Sequence, residues 1–414
     1  MDASIFERIL QSFKDVPEVD ARAKIGPRAF VIALITAVVN DTGKRGIASL
    51  RRTFIGSLGE TFARSTFWQR LSSKRLTEIL SQVIRKLVDG LSSEIAINRD
   101  ILAKLGVTDV FIHDSSSVTL PHSAKKDFPA PRSNVIKASI KWHLCLNLFT
   151  GIPSWFCLTD ARTHDRLGFP PLKMLKGTLI VFDLGYWDYN LLSQLTIQGT
   201  YFLSRVKEKA RIEITGVTTP IEWKAVLKKN LFDVNVKTFR GNLLELIGTI
   251  YHEDLESTDM RVLGFWNKTT KSYHWYVTNL SIPADLIYPL YRIRWQVELS
   301  FKAAKSSLSL ADTPSSNRRI ILNILMASIT SYLIAQPLAS ASLSNAIPEV
   351  QAAFSIHRAA KIFVQVASDV REYLISPTEK TFVVLKEKME RFVPELIDPN
   401  YRSRATSMRR LAVL

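Results

Sequence analysis

Three carboxylates in this chain occupy positions where they could hold metal ions. Asp114 ends the apolar run DVFIHD, Asp183 ends the apolar run GTLIVFD, and Glu298 lies in a later segment that reads as a helix. Ligand sites form where the strands of open α/β sheets end, and carboxylate oxygens are ligands that Mg²⁺ prefers. Two such ions about 4 Å apart can activate an attacking oxygen and stabilise a leaving one. The trio therefore predicts phosphoryl transfer on a polynucleotide.

The sequence alone leaves other interpretations of these residues open. An Asp at a strand end is also common as a turn residue or as the N-cap of a helix. Asp165 and Asp188 share the same local features. His113, beside Asp114, is expected to face the other side of the sheet. Because the chain has seven dispersed His and only two Cys, it predicts neither a zinc site nor a disulfide framework.

The stretch YRIRWQVELSFKAAK, residues 291–305, reads as a helix with four basic groups and one carboxylate. At about 100° per residue, its polar and aromatic side chains fall on one stripe. They are Tyr291, Arg294, Trp295, Glu298, Lys302 and Lys305. Arg and Lys bind phosphate, Tyr donates a hydrogen bond, and Trp can stack on an unpaired base. A surface helix in which Glu298 pairs with Arg294 and Lys302 explains the same pattern, so helix geometry leaves both interpretations open.

The overall charge indicates a polyanionic partner. The chain has 55 Lys and Arg against 38 Asp and Glu, a formal net charge of +17. Such an excess favours a nucleic acid or, less often, an anionic membrane surface. The N-terminus lacks the order of a signal peptide, and the apolar run 320–335 is shorter than the roughly 20 residues of a membrane span. We expect a cytoplasmic protein in which 320–335 is a buried core helix.

The order of predicted elements indicates a mixed α/β core. Residues 1–100 read as helices, and from Lys44 to Arg75 eight basic residues face the single carboxylate of Glu60. That segment fits either a small DNA-binding module or a solvated basic face. Residues 138–148 alternate apolar and polar side chains, which predicts a half-buried strand and a hairpin. Strand patterns continue to about residue 280 and helices follow, which predicts a core sheet interrupted by an all-β insertion.

The spacing Tyr-x2-Arg-x3-Glu-x6-Lys, met by residues 291–305, resembles the signature of DDE transposases of the insertion-sequence-four family. The run IHDSSSVTLP resembles the family's first Asp motif, which holds Asp114. The run FDLGYWD resembles its second, which holds Asp183. Asp183 and Glu298 are 115 positions apart, a gap that suits the family's β-strand insertion before the catalytic Glu.

The resemblance implies an RNase H-like core with a two-metal site. Asp114, Asp183 and Glu298 would be catalytic and would hold two Mg²⁺ ions, with Mn²⁺ able to substitute. His164, in the run ARTHD, resembles an accessory residue that precedes the second catalytic strand. The residues expected to contact DNA near the transposon end are Tyr291, Arg294, Trp295, Lys302 and Lys305.

We therefore predict a metal-dependent DNA transposase that moves an insertion sequence by cut-and-paste. Its partners would be double-stranded DNA, at terminal inverted repeats and target, and a second copy of the chain. It would be nucleoid-associated in a bacterium or archaeon. Two alternatives are a non-catalytic DNA-binding protein descended from a transposase and a two-metal nuclease without strand transfer.

The predicted regions are a DNA-binding helical region (1–100), the first part of the RNase H-like core (101–206), a β-strand insertion (207–282), the core helix with the catalytic Glu (283–312) and a C-terminal helical region that could form the dimer interface (313–414).

Overall fold

One nine-stranded mixed sheet organises the protein. The computed structural model describes residues 3–20, 23–40, 46–61, 63–91, 99–131, 135–149, 151–219, 226–235, 239–251, 257–308, 315–344, 346 and 354–398. The strands are β1 (Val110–Leu120), β2 (Ala138–Asn147), β3 (Pro153–Asp160), β4 (Leu179–Phe182), β5 (Tyr201–Arg205), β6 (Glu213–Val217), β7 (Leu244–Ile250), β8 (Thr258–Asn267) and β9 (Ser272–Thr278).

The first five strands form a core with the order β3-β2-β1-β4-β5. β1, β2 and β3 are antiparallel neighbours, whereas β4 and β5 run parallel to β1. This order is the RNase H-like arrangement that the resemblance implies, so the predicted α/β fold class is confirmed. β4 is a run of four buried apolar residues, as expected of a central parallel strand.

The all-β segment extends the same sheet. β9 pairs antiparallel with β5, and β8, β7 and β6 follow outward in that order. The pairing Leu203↔Thr278 and its neighbours fix how the added strands meet the core. The insertion therefore continues the core sheet on the β5 side of the acidic strands.

Twelve α-helices are described. They are α1 (Ala3–Gln11), α2 (Pro27–Asn40), α3 (Ile47–Leu58), α4 (Arg64–Leu71), α5 (Lys74–Leu91), α6 (Arg99–Leu105), α7 (Tyr189–Ile197), α8 (Ala284–Arg292), α9 (Trp295–Ser307), α10 (Arg318–Ser342), α11 (Ile356–Ile375) and α12 (Glu379–Arg391). α10 packs on α5 and α2, and α11 packs on α2 and α9. Helices from both ends of the chain thus share one apolar core with the sheet.

α10 includes the apolar run 320–335. It is the one described helix that is long and apolar enough to cross a membrane by length and composition, and 94% of its most apolar window is buried inside the protein. Asn317 caps its start by accepting hydrogen bonds from the backbone N–H groups of Arg319 and Ile320. The expected core helix is what the structure shows.

The basic segment of the N-terminal region folds into α3, α4 and the start of α5. Gly59 ends α3 in the left-handed conformation, and its N–H reaches the carbonyl of Ile55. Gly56 lies inside α3 and does not interrupt it. Lys44, where the segment begins, lies outside the described residues.

β2 is alternating as predicted, but the prediction that it is only half-buried is wrong. Trp142 packs edge-on against Phe301 of α9 and Tyr332 of α10. On the opposite face His143 is also buried. The polar face is covered because the chain that follows β3 folds back over it.

The predicted single helix over 291–305 is interrupted. α8 ends at Arg292, α9 begins at Trp295, and the turn between them has 3₁₀ hydrogen bonds from Ile293 to Leu290 (3.2 Å) and from Arg294 to Tyr291 (3.0 Å). Pro289 lies inside α8 and has no N–H to continue the α-helical ladder. Because residues three apart eclipse in a 3₁₀ turn, the break places Tyr291 and Arg294 on the same side.

Candidate active site

Asp114 and Asp183 lie side by side in the sheet. The parallel pairing of β1 and β4 ends at His113↔Phe182, so the two Asp residues occupy the next position of each chain. Asp183 immediately follows β4, as predicted. Asp114 does not end its strand, because β1 continues to Leu120 through its pairing with β2.

Arg294 connects Asp114 with Glu298. Its guanidinium forms an ion pair with the Asp114 carboxylate and a second one, at 2.7 Å, with Oε1 of Glu298. Asp114 and Arg294 have only 16% and 15% of their side chains exposed. The predicted pairing of Glu298 with Arg294 is present, but it is part of an acidic cluster rather than of an open surface.

Asp183 faces the same cluster through Tyr291. The Tyr291 hydroxyl donates a hydrogen bond to Oδ1 of Asp183 over 3.2 Å. Asp183 precedes the 3₁₀ turn Leu184–Tyr186, yet its side chain caps no backbone N–H of that turn in the described chain. The turn and N-cap interpretations therefore do not explain this carboxylate.

The two other Asp residues with similar local sequence have other roles. Asp188 is the N-cap of α7, where it accepts a hydrogen bond from the N–H of Leu191 over 2.8 Å. It also forms an ion pair with Arg166. Asp165 lies on the face of β1 opposite Asp114 and accepts a hydrogen bond from Ser115. Neither belongs to the cluster around Arg294.

Asp114 and Arg294 both have shifted pKa values. Burial raises the pKa of Asp114 from 3.8 to about 6, although Arg294 and the N–H of Ser115 oppose the rise. Asp183 and Glu298 add to the increase by repulsion. Burial opposes the charge on Arg294, but Tyr291 and the three carboxylates outweigh it, so the pKa of Arg294 is raised.

The remaining signature residues flank the acids. The Lys305 Nζ donates to Oγ of Ser116 and to the carbonyl of Ser117, both at 2.6 Å, so it lies along β1 beyond Asp114. Tyr291 packs beneath Arg294, with 5.8 Å from the guanidinium carbon to the ring centroid. Burial raises the pKa of the Tyr291 hydroxyl, which stays protonated as a hydrogen-bond donor.

Trp295 and Lys302 lie on the exposed side of α9. The Trp295 residue is 57% exposed although it is large and apolar, and Lys302 is exposed as well. His164 is also exposed, and its Nδ1 accepts a hydrogen bond from the N–H of Arg166 over 3.3 Å. The structure thus gives His164 a local capping contact, while its neighbour Asp165 makes the contact to β1.

The sequence patterns did not indicate one basic residue, Arg205, that lies beside the acids. Phe182 of β4 pairs with Ser204 of β5, so the next residue, Arg205, is the neighbour of Asp183 in the sheet. Within the described chain its half-buried guanidinium has no ion-pair or hydrogen-bond partner. The strand pattern TYFLSRVK was visible, but which strand lies beside β4 is a long-range property.

The acidic side chains offer a donor set that fits a hard divalent cation. All three side chains supply only carboxylate oxygens, the ligands that suit Mg²⁺. All three also interact electrostatically with the same positive group. In this conformation the group is the Arg294 guanidinium. No set of three His, Cys, Asp or Glu side chains in the described chain is close enough to hold an ion as it stands.

The amino-acid sequence is similar to those of known transposases. The family model described as the transposase DDE domain matches residues 105–334. The transposase for insertion sequence element IS231F of Bacillus thuringiensis subsp. israelensis is 24% identical over 47% of the chain and 49% of its own length. The transposase for insertion sequence element IS1151 of Clostridium perfringens is 26% identical over 48% of the chain and 50% of its own length. The chain spans about half the length of the curated relatives it matches.

A solved structure resembles the whole chain more distantly. It is a piggyBac transposase synaptic complex with hairpin DNA, matched with a TM-score of 0.45 and 11% identity over 96% of this chain and 83% of that one. Similarity at this level says nothing about site residues or activity.

Proposed function

Because the chain belongs to the transposase DDE-domain family, we propose that it is a DNA transposase that cuts an insertion sequence from its site and joins it to a target. The observation that carries the proposal is the convergence of Asp114, Asp183 and Glu298 on the Arg294 guanidinium. Family membership alone would not identify the acids, and buried carboxylates alone would not identify DNA.

In this proposal the three carboxylates are catalytic and hold two Mg²⁺ ions, with Mn²⁺ able to substitute. When bound, such ions supply the charge that activates an attacking oxygen and stabilises a leaving one. Asp114 and Asp183 are adjacent because β1 and β4 are parallel neighbours. Glu298 approaches them from α9, which packs on β1.

Arg294 exchanges partners when DNA binds. In the free protein it neutralises the carboxylates, which would otherwise repel one another at short range. A bound DNA phosphate offers Arg294 an anionic partner with two acceptor oxygens, and the three carboxylates, once free of Arg294, would hold the metal ions. This exchange explains how a signature Arg can contact DNA although its guanidinium faces carboxylates in the free chain.

The neighbouring side chains would hold the DNA. Tyr291 and Lys305 place a hydroxyl and an ammonium beside Asp183 and β1, and Arg205 adds a half-buried cation on the β5 side. Lys302 and Trp295, both exposed on α9, would contact the backbone and stack on a displaced base at the transposon end.

The reaction has two transfers at phosphorus. Water attacks the phosphodiester at the element end, its oxygen bonds to phosphorus, and the 3′ oxygen leaves and takes up a proton. The freed 3′-OH then loses its proton and attacks a phosphodiester of the target, whose own 3′ oxygen leaves. Both steps are in-line displacements that one acidic site can serve in succession.

The rest of the chain would assemble the complex. The helices of residues 1–100 would recognise the terminal inverted repeats, and the region 313–414 would pair two copies so that both ends are cut together. The core would comprise 101–206 and 283–312, with 207–282 as the insertion. We place the protein in the cytoplasm, associated with the nucleoid of a bacterium or archaeon.

An assay of cutting and joining tests the proposal. Purified protein is incubated with Mg²⁺, a supercoiled target plasmid and a DNA fragment carrying the element's end. We expect the wild type to release the end and join it to the plasmid, and Glu298→Gln to do neither. The matched control is Glu245→Gln, because Glu245 also forms an ion pair with an arginine, Arg261, but in the insertion.

The outcomes also separate the alternatives. Cutting without joining by the wild type would indicate a nuclease, and DNA binding without cutting would indicate a non-catalytic protein. Full activity in Glu298→Gln would contradict the assignment of the catalytic acid.

A further inference from the structure

A polar network covers the face of β1 that is opposite Asp114. The chain after β3 folds back over β2 and is held by a turn in which Asp160 accepts hydrogen bonds from the N–H groups of Arg162 (2.9 Å) and Thr163 (3.1 Å). Gly168 packs so closely against the His143 ring that a Cβ there would be 2.2 Å from the imidazole. Residues 160–168 are thus fixed against the sheet directly behind the acidic cluster.

Asp165 is the central group of this network. Its Oδ1 accepts hydrogen bonds from the Lys141 Nζ over 2.8 Å and from the Ser115 Oγ over 3.1 Å. Lys141 also donates to the carbonyl of Thr163 over 3.0 Å. The Lys141 and Asp165 side chains are only 13% and 29% exposed. Because removing a charged pair from water costs free energy, we expect this pair to have a role other than solubility.

Asp165 lies close to the chain that follows each of the two proposed catalytic Asp residues. Ser115 follows Asp114, and its backbone N–H donates to Oδ1 of Asp114 over 2.7 Å while its hydroxyl donates to Asp165. On the other side, Oδ2 of Asp165 lies 3.4 Å from the position that a Cβ on Gly185 would occupy. Gly185 is two residues after Asp183. The Asp165 carboxylate therefore lies near the backbone that follows Asp114 and near the backbone that follows Asp183.

A second connection supports the same geometry. The Tyr186 hydroxyl, three residues after Asp183, makes a 3.1 Å hydrogen bond with Nδ1 of His143, whose Nε2 contacts the Thr159 hydroxyl over 3.0 Å. The segment after β4 is therefore attached to β2 and β3 as well as to Asp165. This leaves the segments bearing Asp114 and Asp183 little freedom to move apart.

We propose that Asp165, held in place by Lys141, is a positioning residue that sets the separation of the Asp114 and Asp183 carboxylates and so their affinity for divalent ions. The proposal rests on the proposed function, which makes those two carboxylates metal ligands. Groups that hydrogen-bond to metal ligands fix their orientation, and their loss typically weakens metal binding by about 10- to 100-fold.

Binding of Mn²⁺ to the full-length protein in complex with a DNA fragment carrying the element's end, measured by calorimetry with the same DNA alone as the blank, tests the proposal. We expect Asp165→Ala to raise the dissociation constant at least about 10-fold. The matched control is Asp369→Ala, because Asp369 forms an ion pair of similar length, 2.7 Å, with Lys388 between α11 and α12. That control should leave the Mn²⁺ affinity at the wild-type value.

Lys141→Met separates positioning from simple charge. Loss of a cation near the acids would strengthen Mn²⁺ binding if charge alone mattered, whereas loss of the group that holds Asp165 should weaken it about 3-fold or more. Tighter binding in Lys141→Met therefore overturns the proposal. Thermal unfolding of each variant checks that the protein measured is folded.

The remaining outcomes are also decisive. If the wild type binds Mn²⁺ and Asp165→Ala binds it equally well, the positioning role is wrong while the proposed function stands. If the wild type binds no Mn²⁺, both are overturned. Should Asp165→Ala fail to fold, Asp165→Asn keeps the shape and an acceptor for Ser115 but loses the ion pair, and wild-type affinity there overturns the proposal.

Discussion

The guanidinium of Arg294 is paired with the Asp114 carboxylate, although 180 positions separate the two residues in the chain. The same guanidinium reaches Glu298, one turn further along α9. In the free protein a permanent cation thus takes the place among the acids that we assign to metal ions. Competition between Arg294 and divalent ions follows directly from this arrangement.

Removal of that cation should make the protein dependent on metal for stability. We expect Arg294→Ala to lower the free energy of unfolding by about 3–5 kcal/mol in EDTA, because it leaves Asp114 and Glu298 without a cationic partner. Adding Mg²⁺ should raise the melting temperature of the variant more than that of the wild type, since a ligand that binds the folded state stabilises it.

Arg261→Ala is the control for this experiment, because Arg261 pairs with Glu245 away from the acids. It should be destabilised without recovery in Mg²⁺. Equal Mg²⁺ shifts in the wild type and Arg294→Ala would contradict the competition.

The raised pKa of Asp114 predicts how stability depends on pH in the absence of metal. Between pH 3.8 and about 6 the folded protein keeps a proton that the unfolded chain has lost. Stability from this group is therefore highest below pH 4, falls as the pH rises, and is constant above pH 6. Asp114→Asn resembles the protonated form and lacks this change.

The melting temperature of Asp114→Asn relative to the wild type should thus increase from pH 4 to about pH 6.5 and then level off. Titrating groups that do not interact with Asp114 cancel in the difference when both proteins are measured in EDTA in the same buffers. A difference that is independent of pH would show that the Asp114 carboxyl is not perturbed.

Arg205 should be a phosphate contact. We expect Arg205→Ala to weaken binding to a DNA fragment carrying the element's end, and to reduce the slope of log K against log salt by about 1. Arg391→Ala is the control, because Arg391 lies in α12 with 78% of its side chain exposed. An unchanged slope in Arg205→Ala, measured by fluorescence anisotropy, would exclude the contact.

Trp295 should act on distorted rather than regular DNA. Because its ring is largely exposed, Trp295→Ala should leave the melting temperature unchanged. Its loss should cost about 1–3 kcal/mol of binding to an end with an unpaired terminal base, but little with a fully paired end. Trp295→Phe should keep most of the preference. Equal losses on both substrates would rule out base stacking.

The sequence indicated three acids that the fold brings near one guanidinium. Asp114, Asp183 and Glu298 could be singled out because an Asp that ends an apolar run and a spaced signature are local patterns. The alternation of β2 was also local, and it correctly separated Trp142 from His143. The break between α8 and α9 was missed because a 3₁₀ turn keeps residues three apart on one side and so leaves the spacing of the pattern unchanged.

Arg205 and Asp165 could not be assigned from sequence for a different reason. Their roles depend on which strands are neighbours: Arg205 matters because β5 lies beside β4, and Asp165 because the chain after β3 folds back onto Ser115. Both are products of strand order and register. Locally, Asp165 looked the same as Asp188, which proved to be a helix cap.

If the carboxylates beside Arg294 bind the metal ions that support DNA cleavage, replacing one of them should change which ion supports cleavage. The most direct test is cleavage of the element end by Asp183→Cys in Mg²⁺ and in Mn²⁺. A thiolate is a poor ligand for the hard Mg²⁺ and a better one for the softer Mn²⁺. We predict that the wild type cuts with either ion and that the variant cuts only with Mn²⁺. Cleavage by Asp183→Cys in Mg²⁺ at the wild-type rate would contradict the claim.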